Sequence, residues 1–212
     1  MMLRLPVSLY VRLFRLLFAR NFKHFGRGTS VIFPAGVDGA ANITLGDDVY
    51  IAYKTFLAAL PHTGHQDCRL AIGKGSRIGR FNHIYATRSV VLGENVLTAN
   101  NVYISDNLHD YRNPDVPILH QPIRQNREVM IGDGSWLGHN ACVLGARIGR
   151  NCVIGANAVV TRDLPDHCVA VGVPAIIIRR YDSETRSWRP TGPDGQFDPP
   201  AHGSHSSSEQ AS

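Results

Sequence analysis

An aliphatic residue followed by glycine recurs through the middle of the chain, and within each cluster the step is six residues. The pairs are Leu45-Gly46, Ile72-Gly73, Ile78-Gly79, Leu92-Gly93, Ile131-Gly132, Leu137-Gly138, Ile148-Gly149 and Ile154-Gly155. Ile51, Thr98, Ile104 and Val160 continue the step without glycine. A second small or aliphatic position lies four beyond each first one, at Val49, Ser76, Val96, Val102, Ser135, Ala141, Cys152 and Ala158. A period of six is neither the helical 3.6 nor simple alternation. It suits a short flat strand closed by a tight turn, with the aliphatic side chain inward and glycine at the corner. No single coil of this kind can bury its own face, so coils must stack. The triplets GDD, GKG, GEN, GDG and GRN supply turn residues at the corners. A doubly wound sheet needs helical stretches between its strands, and residues 40–175 contain none. The predicted fold is all-β: a parallel β-helix over residues 40–180.

Composition narrows the function. Charged residues make up 18% of the 212, and the net charge is +5. The excess lies at the front, where Arg4, Arg12, Arg15, Arg20, Lys23 and Arg27 occur in residues 1–30 without a single acid. The remainder is close to neutral, which argues against a nucleic-acid-binding protein. Cys68, Cys142, Cys152 and Cys168 form no CxxC pair and read as small core residues in a reducing compartment. Within LRLPVSLYVRLFRLLFA (3–19), Arg12 and Arg15 interrupt the apolar run, so the segment is not expected to span a membrane. It suits a helix packed on its own domain or a neighbouring subunit, or a helix docked on an anionic membrane surface through residues 1–20.

Residues 58–71 and 105–130 interrupt the repeat, and insertions in solenoids sit at corners and often carry the binding face. From Tyr181 the chain turns polar, and 181–212 is expected to be a disordered tail that Trp188 and Phe197 could dock.

The tandem hexads followed by TRDLPDHCVAVGVPA resemble the hexapeptide-repeat acyltransferases, most closely the galactoside/maltose O-acetyltransferase group and its polysaccharide-modifying relatives. The resemblance implies a left-handed β-helix of triangular coils, acetyl-CoA as cosubstrate with no metal required, and a homotrimer with active sites between subunits. It also implies transfer of an acetyl group to a saccharide hydroxyl. The cysteine usage points to the cytoplasm, and the basic apolar N-terminus points to a polysaccharide or glycolipid precursor as acceptor, with the protein peripheral at the inner face of the membrane. His109, in ISDNLHDY, occupies the place of the family's general base, and imidazole is the side chain whose unperturbed pKa suits that task. Asp106 is the first candidate to orient it, with Asp110, Glu94 or a backbone carbonyl as alternatives.

For CoA, the resemblance places Trp136 and His139 beside the pantetheine and thioester, with the His139 N–H stabilising the oxyanion. Ala156 then offers a backbone contact, Thr161-Arg162 matches the family's Thr-Lys, and Arg162 and Arg179 meet the adenosine phosphates. Relatives carry a further basic residue where this chain has Ile176, and Arg180 stands nearby. On the acceptor side Asn82 and His83 are the candidates, whereas the family's acidic contact falls near Thr87. The rival functions are N-acetylation of an amino sugar or xenobiotic, a non-catalytic scaffold, and a γ-class carbonic anhydrase with three zinc-bound histidines, for which His83, His109 and His120 are the histidines to weigh.

Overall fold

The computed structural model describes residues 6–192 and 195–197. The hexads wind into a three-sided prism. Face A stacks the parallel strands His24–Phe25, Ile43–Leu45, Arg69–Ile72, Ser89–Leu92, Val129–Ile131 and Arg147–Ile148. Face B begins with Ser30–Val31, Tyr50–Ile51, Arg77–Ile78, Leu97–Thr98, Trp136–Leu137 and Val153–Ile154. Face C stacks Gly36–Asp38, Phe56–Ala59, His83–Ala86, Tyr103–Ser105, Cys142–Leu144 and Val159–Val160. Chain order passes from A to B to C and back to A, so each turn of the chain contributes one strand to each face.

The registers put the repeat residues directly over one another. On face A, Leu45 pairs with Ile72, Ile72 with Leu92, Leu92 with Ile131 and Ile131 with Ile148. On face C the column is Leu57, Ile84, Ile104, Val143 and Val160, all buried. These columns form the core. The glycines let the corners close: a Cβ on Gly73 would lie 2.4 Å from the carbonyl oxygen of Gly93 in the next coil. The third residue of each corner triplet takes the left-handed conformation, with φ of 57° at Asp48, 71° at Gly75, 54° at Asn95, 68° at Gly134 and 49° at Asn151. Gly, Asn and Asp are the residues that adopt it most cheaply.

The second small position has a role that periodicity alone does not disclose. The Ser76 hydroxyl donates to Gly93 O (2.9 Å) and accepts the Val96 N–H (3.0 Å). Ser135 does the same with Gly149 O (2.8 Å) and the Cys152 N–H (3.0 Å). A buried hydroxyl therefore staples one coil to the next where the corner leaves backbone groups unpaired. Cys68, Cys152 and Cys168 are buried as expected, while Cys142 is half-buried on the outer side of face C.

Helix α1 (Val7–Phe18) closes the N-terminal end of the prism. Phe14 is buried against Phe22 and Phe25, Tyr10 stacks on Phe33 at 3.8 Å, and Arg15 donates to Gly26 O and Thr29 O, both at 2.9 Å. Among the described residues no helix is long and apolar enough to cross a membrane.

The C-terminal expectation needs correction. The chain past Tyr181 is ordered as a hairpin: Ile176–Asp182 pairs antiparallel with Cys168–Val171 of face B and with Ser187–Pro190. Trp188 meets Tyr181 edge-on at 5.7 Å, and Phe197 lies under the guanidinium groups of Arg180 and Arg189. Buried Asp182 accepts from Arg189 at 2.9 Å and from the Glu184 N–H at 2.9 Å. A polar hairpin can thus be held by the ion pair and ring contacts instead of by aliphatic burial. Residues 193, 194 and 198–212 of the predicted tail and residues 1–5 of the N-terminal segment lie outside the described residues.

Truncating a column residue should weaken the whole stack. Leu92→Ala is expected to lower unfolding free energy by about 2–5 kcal/mol in urea titration, the range for a buried Leu truncation.

Candidate active site

Both insertions leave the prism at the corner between faces C and A. The first, residues 60–68, follows Phe56–Ala59, and the second, 106–128, follows Tyr103–Ser105. They touch, since the Thr63 hydroxyl donates to Gln125 Oε1 at 2.6 Å. The second insertion begins as an antiparallel hairpin, Asn107–His109 against Ile123–Gln125, with His109 opposite Ile123. Gln125 Nε2 donates to Asp106 O (2.7 Å) and pins the hairpin to the prism. His109 therefore sits on a held strand, with an exposed imidazole.

Asp106 does not orient that imidazole. Its fully buried carboxylate turns into the corner of the coil before it, accepting the N–H groups of Thr87 (2.7 Å), Arg88 (2.8 Å) and Ser89 (2.7 Å) and the Thr87 hydroxyl (3.1 Å). It closes the turn from which Ser89–Leu92 starts. Asp110 is also engaged: hydrogen bonds from the Arg112 guanidinium hold its carboxyl well below the usual carboxylate range. Glu94 lies at the corner between faces A and B, away from the insertion. Among the described residues, no side chain or carbonyl hydrogen-bonds the His109 ring.

Asn82 is likewise structural. It is buried, accepts the Val102 N–H at 2.5 Å, and donates to Thr98 Oγ1 (2.6 Å) and Gly79 O (3.2 Å). No polar atom remains for an acceptor sugar. His83 alternates with Asn82 and so points outward, where it packs between Phe56 (4.8 Å) and Tyr103 (5.3 Å). Burial there pushes its imidazole below the ordinary 6.5. Beside it, Tyr85 bonds His62 of the first insertion. His83 was a sequence candidate, but its neighbours His62, Tyr85 and Tyr103 escaped sequence reasoning, since only stacking of separate coils brings them to it. His83 is held by rings, while His109 and His120 lie in the insertion, so the three histidines weighed for zinc do not converge within the chain.

The residues expected to meet CoA fall into two groups. Trp136 projects from face B between Leu97 and Val153 and is exposed. His139 follows at the corner between faces B and C, with its Nε2 3.5 Å from Asn101 Nδ2. Ala156 lies in the same column, as the Asn157 N–H donates to His139 O. Two coil pairs earlier, the Arg80 N–H is taken by Asn100 Oδ1 at 2.9 Å. Ala156 has no such acceptor, so the His139 N–H has no partner among the described residues. An open N–H beside an exposed indole is a donor available to a developing oxyanion.

Thr161 and Arg162, both exposed, lie instead at the corner between C and A, the His109 side of the prism. Arg179 is exposed on the C-terminal hairpin, and Arg180 is turned to Phe197 and Gly195 O. Face C thus separates Trp136, His139 and Ala156 from His109, Thr161 and Arg162. Crossing it takes four to five residues, roughly 15 Å of strand. The structure assembles two half-sites on one chain and does not bring them together.

Comparison with known proteins agrees with the architecture. Residues 128–162 match a family model described as the hexapeptide repeat of succinyl-transferase. That repeat and the stacked parallel strands fit a left-handed parallel β-helix. It is 36% identical over 120 residues to the putative lipopolysaccharide biosynthesis O-acetyl transferase WbbJ of Escherichia coli K12, covering 53% of this chain and 61% of that protein. To the galactoside O-acetyltransferase of the same organism it is 35% identical over 106 residues, covering 47% of this chain and 48% of the relative. The chain therefore spans about half to six tenths of the length of these relatives. Among solved structures, the N-acyltransferase AntD from Bacillus cereus, in complex with dTDP and 3-hydroxybutyryl-CoA, superposes with a TM-score of 0.67 at 17% identity, over 81% of this chain and 89% of that one. That likeness concerns the fold.

Two outcomes test the reassigned residues. Asp106→Ala should lower unfolding free energy by at least about 3 kcal/mol, because the N–H groups of Thr87, Arg88 and Ser89, two of them buried, lose their acceptor. The lowered pKa of His83 means that the unfolded chain binds a proton more readily than the folded one. Stability from His83 is then full above 6.5 and falls as the pH drops below it, until the folded value is passed. His83→Phe should flatten the decline in melting temperature between neutral and mildly acid pH.

Proposed function

We propose that this protein is a CoA-dependent O-acyltransferase that moves an acetyl group from acetyl-CoA to a saccharide hydroxyl. The observation that carries the reading is the exposed His109 imidazole, held on a pinned hairpin at the corner where the repeat opens. Support comes from the O-acetyltransferases to which the chain is similar.

In the proposed reaction, the His109 imidazole accepts the proton of the acceptor hydroxyl as its oxygen attacks the thioester carbonyl. The carbonyl oxygen takes up negative charge and is met by the His139 N–H, a contribution often worth about 2.7–4 kcal/mol. Collapse breaks the C–S bond, and the imidazolium returns its proton to the leaving thiolate. No acyl-enzyme is required, so the four cysteines need no part; burial and nearby carboxylates push the Cys68 thiol up to about 11, far from a ready nucleophile.

The half-sites join between copies. A second chain placing its Trp136–His139 corner against the His109 corner of the first brings base and oxyanion donor to one cleft, and three such contacts close a homotrimer. Arg162 and Arg179 would then supply guanidinium groups for the CoA phosphates. His83 and Tyr85, on the outward side of face C, are the acceptor-facing candidates once Asn82 and Asp106 are given to the scaffold. The protein works in the cytoplasm, on a saccharide destined for a polysaccharide or glycolipid. An amino-sugar acceptor is the second reading, since the same base and donor serve an amine; AntD is described as an N-acyltransferase and shares this fold.

A thiol-release assay over free sugars, nucleotide sugars and amino sugars tests the proposal. Acceptor-dependent release is expected, falling at least roughly a hundredfold in His109→Ala with folding intact, the lower end for a general base. Undiminished turnover in that variant would remove the proposed base, and a response confined to amino sugars would shift the reaction to N-acylation.

A further inference from the structure

Helix α1 has two faces, and the prism uses one. Tyr10, Phe14 and Arg15 turn inward to the first coil. Outward, Leu9, Leu13 and Leu16 follow at the four- and three-residue steps that align side chains on one helix face. All three are exposed, Leu16 to 76%, and the neighbouring Leu17 to 54%. Arg12 is exposed beside this stripe, between Leu9 and Leu16 at helical spacing, and Arg20 is exposed beyond it. Lys23 and Arg27 are also exposed, and residues 1–30 contain no acid.

We infer that this face docks α1 in the plane of an anionic lipid bilayer. Leucines that gain nothing from the fold recover their burial in the acyl boundary, and the arginines beside them meet lipid phosphates. The charge pattern selects this occupant. A contact between like copies would set the same basic surface against itself, whereas a negative headgroup layer complements it. Twelve residues are too few to span a bilayer, so the helix lies along it. The helix is already anchored by Phe14 and Arg15, so docking requires no coil-to-helix transition and no ordering entropy for the segment. Strands in the prism rise about 4.8 Å per coil, which puts the coil that leads to His109 roughly 14 Å from the first coil. A saccharide carried on a lipid is an acceptor of suitable reach.

Sedimentation of the full chain with vesicles tests the docking. Binding is expected to vesicles containing phosphatidylglycerol and not to phosphatidylcholine alone, and to weaken as salt rises. The double variants Leu13→Gln/Leu16→Gln and Arg12→Glu/Arg20→Glu should each reduce the bound fraction about tenfold, with melting temperature and oligomeric state unchanged. Far-UV circular dichroism of the wild type should not change on binding. The docking is independent of acyl transfer, so His109→Ala should sediment as the wild type does. Equal binding to phosphatidylcholine alone, no binding at all, a gain of helicity on binding, or a leucine variant that dissociates the oligomer would each overturn the inference; the last would make the stripe a contact between copies.

Discussion

The structure depends on the coil-to-coil hydrogen bond. Each coil exchanges N–H groups and carbonyls with the coils on both sides, as where Gly46 donates to Ile72 O of the next coil and Asp48 to Arg27 O of the one before, so each coil must repeat the path of its neighbour closely. That demand explains why Gly73 cannot carry a side chain where the backbones of two corners approach, and why corner residues with positive φ are Asn, Asp or Gly in the triplets. It also explains the buried hydroxyls of Ser76 and Ser135, which take up backbone groups that the turn would otherwise leave unpaired inside an apolar prism. The aliphatic columns supply the driving force, and the ladder fixes where it can act.

A scaffold this repetitive has little freedom to place chemistry. Inward positions are filled, and outward positions on a face point away from one another's neighbours around the prism. Only the corners and the two insertions at the C–A edge can project groups into a common space. His109 is on that edge and His139 on the next, with the width of face C between them. A prism cannot fold one of its edges onto another, so cooperation of these groups calls for the edge of a second copy.

The fold was largely legible because a period of six leaves one arrangement that buries every marked aliphatic at once. The outward direction of Trp136 follows from the same period, since it alternates with the inward Leu137 on its strand. Asp106 and Asn82 were not legible. Proximity in sequence to His109 suggested that Asp106 serves it, yet the carboxylate turns the other way to close the Thr87–Ser89 corner. Asn82 sits at the second small position of its hexad, which marks it as inward, but its polarity suggested a ligand contact. The C-terminal hairpin was missed because an Asp182–Arg189 pair and ring-on-guanidinium contacts hold it, and neither leaves a hydropathy signal. Arg15, which blurred the amphipathic pattern of the first helix, proves to be a cap on Gly26 and Thr29.

The sequence by itself determined the coil, its period, its inward residues and the places where the coil is interrupted, because those follow from burial and turn chemistry within a few neighbouring residues. Only the tertiary structure decided which way each polar side chain turns, which N–H remains open, and which leucines of the first helix stay in water. Those outcomes depend on what the adjacent coil offers at the same height. The partner that completes a hydrogen bond here is commonly sixteen to twenty residues away, beyond the reach of any local pattern.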